Sequence, residues 1–342
     1  MLNVIASSFI SIVPFVVAWG WLGDKKYHQS LLRCIAICAI FYSFLALIEM
    51  RLSPQLNQWI YGYFPHNFIQ HVRGGQFRPL VFLSHGLELA FFLLTAALAA
   101  LGLARSLDMV EQKLLYIVSG LWILLVLLIS PNLGAAILAV VFVPIVIFFP
   151  KRIQIVASVI VAVLFLSYPA GRQYMPLEGF VNFISSFSPD RAESFQFRLD
   201  NEKQMLTRAF EKPFFGWGGW GRWRVYDENG QDVTTADGIW IIFLGERGLV
   251  GFLAYFGIFT LPLFALARSH SKLKICPATT TLAVLLACNL LYMIPNSTLS
   301  PLGWLISGAI AGHIGRKTDG VVSSPKQVNR REVRYSRFPV ER

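Results

Sequence analysis

Charged residues are scarce in this chain, and they are missing altogether from long stretches of it. Only 14% of its 342 residues are Asp, Glu, Lys or Arg, against 55% hydrophobic. Soluble domains average about 25% charged and about 45–50% apolar. No charge interrupts residues 2–23, 34–48, 89–104, 114–150, 153–171, 248–267 or 275–315, which excludes a soluble fold with charges spread along its surface. Cysteine is scarce as well. Cys34, Cys38, Cys276 and Cys288 lie in or at the edge of these runs, so no disulfide framework is implied. Cys34 and Cys38 share a helix face, but no nearby His or Cys completes a zinc set. No internal repeat is present. Residues 2–23 lack the basic start and the Ala-x-Ala site of a secretory signal, so they read as a first span.

What the chain has is hydrophobic length. A helix crossing a bilayer needs about 20 mostly apolar residues. Residues 114–150 suffice for two helices around Ser130-Pro131-Asn132, and residues 275–315 for two around Pro295-Asn296-Ser297. With the five single runs, the sequence predicts an all-α, polytopic transmembrane helix bundle of about nine spans over residues 1–315. Run 34–48 is the shortest. Lys and Arg mark the cytoplasmic side. Lys25, Lys26 and Arg33, then Arg105 and Lys113, Lys151 and Arg152, and Arg268, Lys272 and Lys274 fall in alternate loops with the tail. The N-terminus is therefore placed outside and the tail inside, and most of the net charge of +11 is a topology signal. Tail residues 316–342 are expected to be basic, disordered and close to anionic lipid, with no nucleic-acid partner.

Two outward loops are substantial, residues 49–79 and 169–236. A loop as long as the second is usually functional or disordered. Ser188-Pro189-Asp190 with Glu193 resembles a capping box. Residues 194–212 hold no Gly or Pro, and Phe195, Leu199, Leu206 and Phe210 recur at helical spacing. The pattern predicts an amphipathic helix on the outer membrane face, ended by Pro213 and Gly216. Arg198 and Glu202 stand four apart, placed to pair.

The helix is followed by "KPFFGWGGWG", a polar loop, and "TTADGIWIIFLGERGLVGFLAYFG". An arginine-bearing helix, a Pro-Phe-Phe-Gly-x-Gly turn at 213–218, a short polar motif at 237–240 and a Glu-x-Gly-Leu-Val-Gly start at 246–251 resemble the O-antigen ligase/polymerase (Wzy/WaaL-like) superfamily. A second stretch, "FRPLVFLSHGLELAFFL", is similar in setting an Arg-Pro pair before a span. The likeness covers roughly residues 77–102 and 192–257. It implies an enzyme of the bacterial inner membrane with its active site facing the periplasm. Such an enzyme transfers a polyprenyl-pyrophosphate-linked glycan to an acceptor hydroxyl on a glycan or lipid-linked acceptor, as polymerase or ligase. The family pattern often has His-Asn, the His being its proposed base, where this chain has Asp237-Gly238. An aspartate can also take a hydroxyl proton, so Asp237 is placed as the base, with the N-cap of the following helix as its other reading.

That chemistry puts charge on a departing pyrophosphate. A guanidinium is always charged and grips phosphate oxygens in a two-point fork, and cationic donors aimed at developing charge are a large catalytic contribution. The candidates are Arg73, Arg78, Arg198, Arg208, Arg222, Arg224 and Arg247, with Arg78 and Arg198 placed in catalysis. Pro79 fixes the backbone beside Arg78. His85 and Glu88 follow at the start of the span, as an interfacial pair or as groups orienting Arg78. Gly216 and Gly218 permit close backbone approach. The run lacks the Gly-Lys-Ser/Thr ending of a phosphate loop. Trp217, Trp220 and Trp223 are expected in the interfacial aromatic belt, with Trp220 also placed to stack on sugar. The outward loops hold no metal-ligand spacing, so neither metal nor cofactor is expected. The competing readings are a transporter of lipid-linked glycans and a non-catalytic partner in envelope polysaccharide assembly.

Overall fold

The structure, a computed structural model, describes residues 2–65, 67–73, 75–186, 189–269, 275–297 and 300–322. Backbone polar groups in apolar surroundings are satisfied internally, and within one segment only a helix does this. Helices accordingly fill the chain. They are α1 (Leu2–Trp21), α2 (Lys25–Leu52), α3 (Leu56–Tyr61), α4 (Gly86–Ala104), α5 (Val110–Ile129), α6 (Leu133–Phe148), α7 (Lys151–Gly171), α8 (Glu178–Ser185), α9 (Pro189–Phe210), α10 (Ile239–Ser269), α11 (Pro277–Tyr292) and α12 (Pro301–Val322). A two-residue hairpin, β1 (Val72–Arg73) and β2 (Gln76–Phe77), pairs antiparallel between α3 and α4 with Val72 opposite Phe77.

Among the described residues five helices are long and apolar enough to cross a membrane: α2, α4, α5, α7 with its extension to Tyr174, and α10. Phe9–Trp21, Leu133–Phe148 and Pro277–Tyr292 are shorter apolar helices. Several apolar helices of this kind point to a multi-pass membrane protein. Run 34–48 looked short in sequence because it is the middle of a helix of 28 residues. Lys25, Arg33, Glu49 and Arg51 occupy its ends and concealed its length.

Helix α4 is the centre of the bundle. Its apolar window is 83% buried, against 33–44% for the other four long helices, and it packs on α2, α5, α6 and α11. Helix α1 lies along α12. A Cβ on Gly308 or Gly312 would fall 2.2 or 2.3 Å from the Phe15 or Trp19 carbonyl oxygen. Small residues spaced by four thus let the two backbones touch.

Between α7 and α10 the chain is partly helical. Helix α8 packs on α9, and α9 packs on α10. The buried face of α9 is Ala192, Asn201, Glu202, Met205, Leu206 and Ala209, which corrects the expected stripe. Of that stripe only Leu206 is buried, while Phe195 and Leu199 are half-buried and Phe210 is exposed. The phase is turned because two polar groups, Asn201 and Glu202, find partners in neighbouring elements and go inward. Residues 316–322 continue α12, and residues 323–342 of the expected tail lie outside the described residues.

Candidate functional site

The two glycine-rich motifs of the sequence are one structure. Helix α10 breaks at Gly248, whose φ of 64° and ψ of −170° are reached almost only by glycine. The break opens the rungs that would join Leu249 to Gly245 and Val250 to Glu246. The turn at 213–218 fills both. The Leu249 and Val250 N–H groups donate to the Pro213 and Phe214 carbonyls at 2.7 and 3.1 Å. The Trp217 and Gly218 N–H groups donate to the Gly245 and Glu246 carbonyls, each at 2.8 Å. Gly216 also has a positive φ, and a Cβ there would lie 2.5 Å from the Glu246 carbonyl carbon. The glycines therefore serve a splice between turn and helix.

This splice occupies several residues expected to meet substrate. The Arg208 guanidinium lies 3.3 Å from the Trp217 ring centre and Lys212 Nζ 4.0 Å from it, while Arg208 Nη1 also reaches Glu211 at 2.5 Å. Arg222 Nε donates to the Gly219 carbonyl at 3.1 Å, Arg224 pairs with Asp232, and Arg247 sits over Phe243. Partial burial pushes the Asp232 carboxyl up, but hydrogen bonds from Arg224 and Thr234 outweigh it and hold the group below its ordinary value. Of the three tryptophans expected in the belt, Trp220 is 98% exposed. Trp223 is buried against Gly245 and Trp217 is half-buried. Their rings are used in packing.

Arg198 and Asp237, 39 positions apart in the sequence, meet. Arg198 Nε is 3.4 Å from Asp237 Oδ2, with side chains 39% and 29% exposed. Arg198 does not pair with Glu202 as its spacing suggested. Glu202 turns inward and accepts from Arg172 Nε at 2.8 Å and from Tyr168 Oη at 3.4 Å. Arg172 also donates to the Leu199 carbonyl at 3.4 Å. Beside these, Asn201 Oδ1 accepts from the Thr235 N–H at 2.8 Å. Burial raises the Glu202 carboxyl above its ordinary value, partly offset by Arg172, and the Asp237 charge pushes the same way. Two ion pairs, Arg172–Glu202 and Arg198–Asp237, thus anchor α9 to neighbouring segments. The exposed pair contributes only about 0–1 kcal/mol, whereas losing one partner of the buried Arg172–Glu202 pair costs about 3–5 kcal/mol. The buried pair fixes α9, and the exposed pair is open to a ligand. Arg172, Glu202, Asn201 and Tyr168 were missed in the sequence because their partners stand on other elements.

Asp237 was expected to cap the following helix. Helix α10 begins two residues later, and its first N–H, of Ile239, donates to the Asn296 carbonyl at 3.1 Å. Gly238 lies so close to the Ile294 carbonyl oxygen that a Cβ would stand 2.2 Å from it. The end of α11 therefore supplies the cap and leaves the Asp237 carboxylate to Arg198.

Arg78 lies apart from that pair, near the same end of α11. Its Nη2 donates to the Pro131 carbonyl at 3.3 Å, and its stem runs over Gly86. His85 caps α4, its Nδ1 accepting from the Leu87 N–H at 3.0 Å. Glu88 accepts from the Ser84 N–H and hydroxyl, so neither of these two needs the other. Arg73 lies in β1. Tyr292 Oη donates to the Leu87 carbonyl at 2.7 Å, and Asn296 Nδ2 donates to the Tyr292 carbonyl at 2.9 Å. Residues 292–296 thereby link the start of α4, after Arg78, with the start of α10, after Asp237. Among the described residues no group of three His, Cys, Asp or Glu comes together as a metal set. No protein-family model and no curated protein matches this chain.

Proposed function

We propose that this chain is a membrane glycosyltransferase acting on a polyprenyl-pyrophosphate-linked glycan, as a polysaccharide polymerase or ligase. The observation that carries the reading is the Arg198–Asp237 pair. It joins the arginine of the loop helix to the polar motif before α10, the two features on which the resemblance rests, at the end of an apolar bundle. In the free protein each group neutralises the other. An entering pyrophosphate competes for the Arg198 guanidinium and releases the Asp237 carboxylate. The acceptor hydroxyl oxygen then attacks the anomeric carbon and its proton passes to Asp237. The bond from that carbon to pyrophosphate breaks, and Arg198 with Arg78 takes up the charge on the leaving group.

The same reading sets about nine spans in the bacterial inner membrane, with the N-terminus and residues 169–236 facing the periplasm and the tail inside. A non-catalytic role in envelope assembly draws on the same ion pair, which also ties α9 to α10. Glycan analysis of a deletion strain complemented with wild type or Asp237→Ala separates these readings. Loss of polymer with normal protein level supports the enzyme, and full polymer with Asp237→Ala overturns it. Missing polymer in the deletion marks a polymerase, and unattached full-length polymer marks a ligase.

A further inference from the structure

Glu49 is a carboxylate in the last turn of α2 with 1% of its surface exposed. Among the described residues no Lys, Arg or His lies within ion-pair distance of it. An ionisable group so placed in an apolar bundle is costly and marks function. Its oxygens are used instead by backbone. Oε1 accepts from the Leu56 N–H at 3.1 Å, and Oε2 accepts from the Leu80 and Val81 N–H groups at 2.8 and 2.6 Å. Leu80 and Val81 directly follow Arg78-Pro79.

The held segment is strained. Val81 has a φ of 54°, a left-handed conformation that a β-branched residue avoids, and it is fully buried. Its carbonyl accepts from Asn57 Nδ2 at 2.5 Å. On the other side the Arg78 N–H donates to the His71 carbonyl at 2.7 Å. Beyond the backbone, Gly86 leaves room for the Arg78 stem, since a Cβ there would lie 2.5 Å from Arg78 Cγ. Backbone, stem and head of Arg78 are thus each fixed by a different element. Strain of this kind persists where surrounding structure over-determines it, and here the over-determining group is the Glu49 carboxylate.

We infer that Glu49 is the positioning residue for Arg78, setting the guanidinium for a pyrophosphate group without touching the ligand. The inference rests on the reading of Arg78 as a pyrophosphate contact. A double-mutant cycle tests both, with affinity for farnesyl pyrophosphate measured on the full chain in lipid nanodiscs. The proteins are wild type, Glu49→Gln, Arg78→Ala and the double variant. Glu49→Gln keeps the shape but turns one acceptor into a donor facing an N–H. It should weaken binding about tenfold, and Arg78→Ala should weaken it at least as much. In the Arg78→Ala background Glu49→Gln should change nothing, because it acts only through Arg78. An equal loss in both backgrounds, or wild-type binding by Glu49→Gln, overturns the positioning role alone. Wild-type binding by Arg78→Ala overturns the pyrophosphate reading of Arg78 and the inference with it. If Glu49→Gln accumulates poorly, Asn57→Ala removes only the donor to the Val81 carbonyl. In the same cycle it should give the same Arg78-dependent loss, and an Arg78-independent loss overturns the inference.

Discussion

Replacing Gly248 by Ala should destabilise the protein by a route the splice geometry defines. If the turn stays in place, alanine must hold φ 64° and ψ −170°, a cost of about 1–3 kcal/mol. Its Cβ would also stand 2.3 Å from the Phe214 carbonyl carbon and oxygen. Backbone atoms cannot swing aside like a side chain, so overpacking adds about 1–3 kcal/mol. Alternatively α10 straightens and expels the turn. Four spliced hydrogen bonds are lost and two helical ones are regained, a net loss of about 1–3 kcal/mol at roughly 0.5–1.5 each, before the packing of Trp223 against Gly245 is counted. The second route is the less costly and sets the expected minimum. Gly257 is the control. Only Leu261 Cδ1 approaches a Cβ there, at 3.7 Å, so Gly257→Ala should gain the ordinary helix preference of about 1 kcal/mol. Thermal inactivation rates in detergent, compared with chymotrypsin cleavage after Trp217 and Trp223, read both effects. Gly248→Ala should unfold faster and be cleaved faster, and Gly257→Ala neither. A Gly248→Ala protein as durable and as resistant as wild type would refute the splice.

Asp237→Asn keeps size and removes proton affinity. With the Asn296 carbonyl serving the first N–H of α10, folding should stay normal while polymer output falls by about 10²–10⁴, and unchanged output would remove Asp237 as the base. Arg198→Lys and Arg78→Lys should each impair output despite keeping the charge, because Lys lacks the planar fork. Full activity in both would leave these arginines without a phosphate role. Burial lifts Glu202 above its ordinary value, so the folded state binds its proton more readily than the unfolded one. That contribution is complete below the unfolded value of about 4.3 and lost as pH rises through the folded one. Wild type should therefore lose stability relative to Glu202→Gln as pH rises above the ordinary carboxylate range, measured by thermal inactivation, and a gap of the opposite sign would contradict the burial argument. A cysteine placed at Asn229, in the loop between α9 and α10, should react with an impermeant reagent on intact cells, and reaction only after permeabilisation would reverse the proposed orientation.

The apolar runs made the helices legible, because twenty uncharged residues have few other ways to satisfy their backbone. Burial within the bundle was less legible. Helix α4 is central, yet its composition differs little from that of helices on the lipid-facing side. Arg198 and Asp237 were singled out separately from local pattern, and their meeting depends on how α9 lies on α10. Glu202 and Arg172 were missed because local spacing offered Arg198 as the partner of Glu202. Glu49 read as a charge at the edge of a span, since its three donors are backbone groups that no side-chain pattern announces. The glycines pointed to a tight turn, but that the turn enters a broken helix follows only from the pairing of residues 213–218 with 245–250.

Helix α1 lies against α12, and the contact from Gly23 to His313 spans 290 positions of chain. Ribosomes add about 5–20 residues per second, so α1 waits on the order of 15–60 s for its partner to be made. During that interval its glycine-matched face meets only lipid or the insertion machinery. Helix α1 is thus seated against α12 only after the intervening bundle has been made, and a chain stalled before α12 would expose this seam as the mark of unfinished biogenesis.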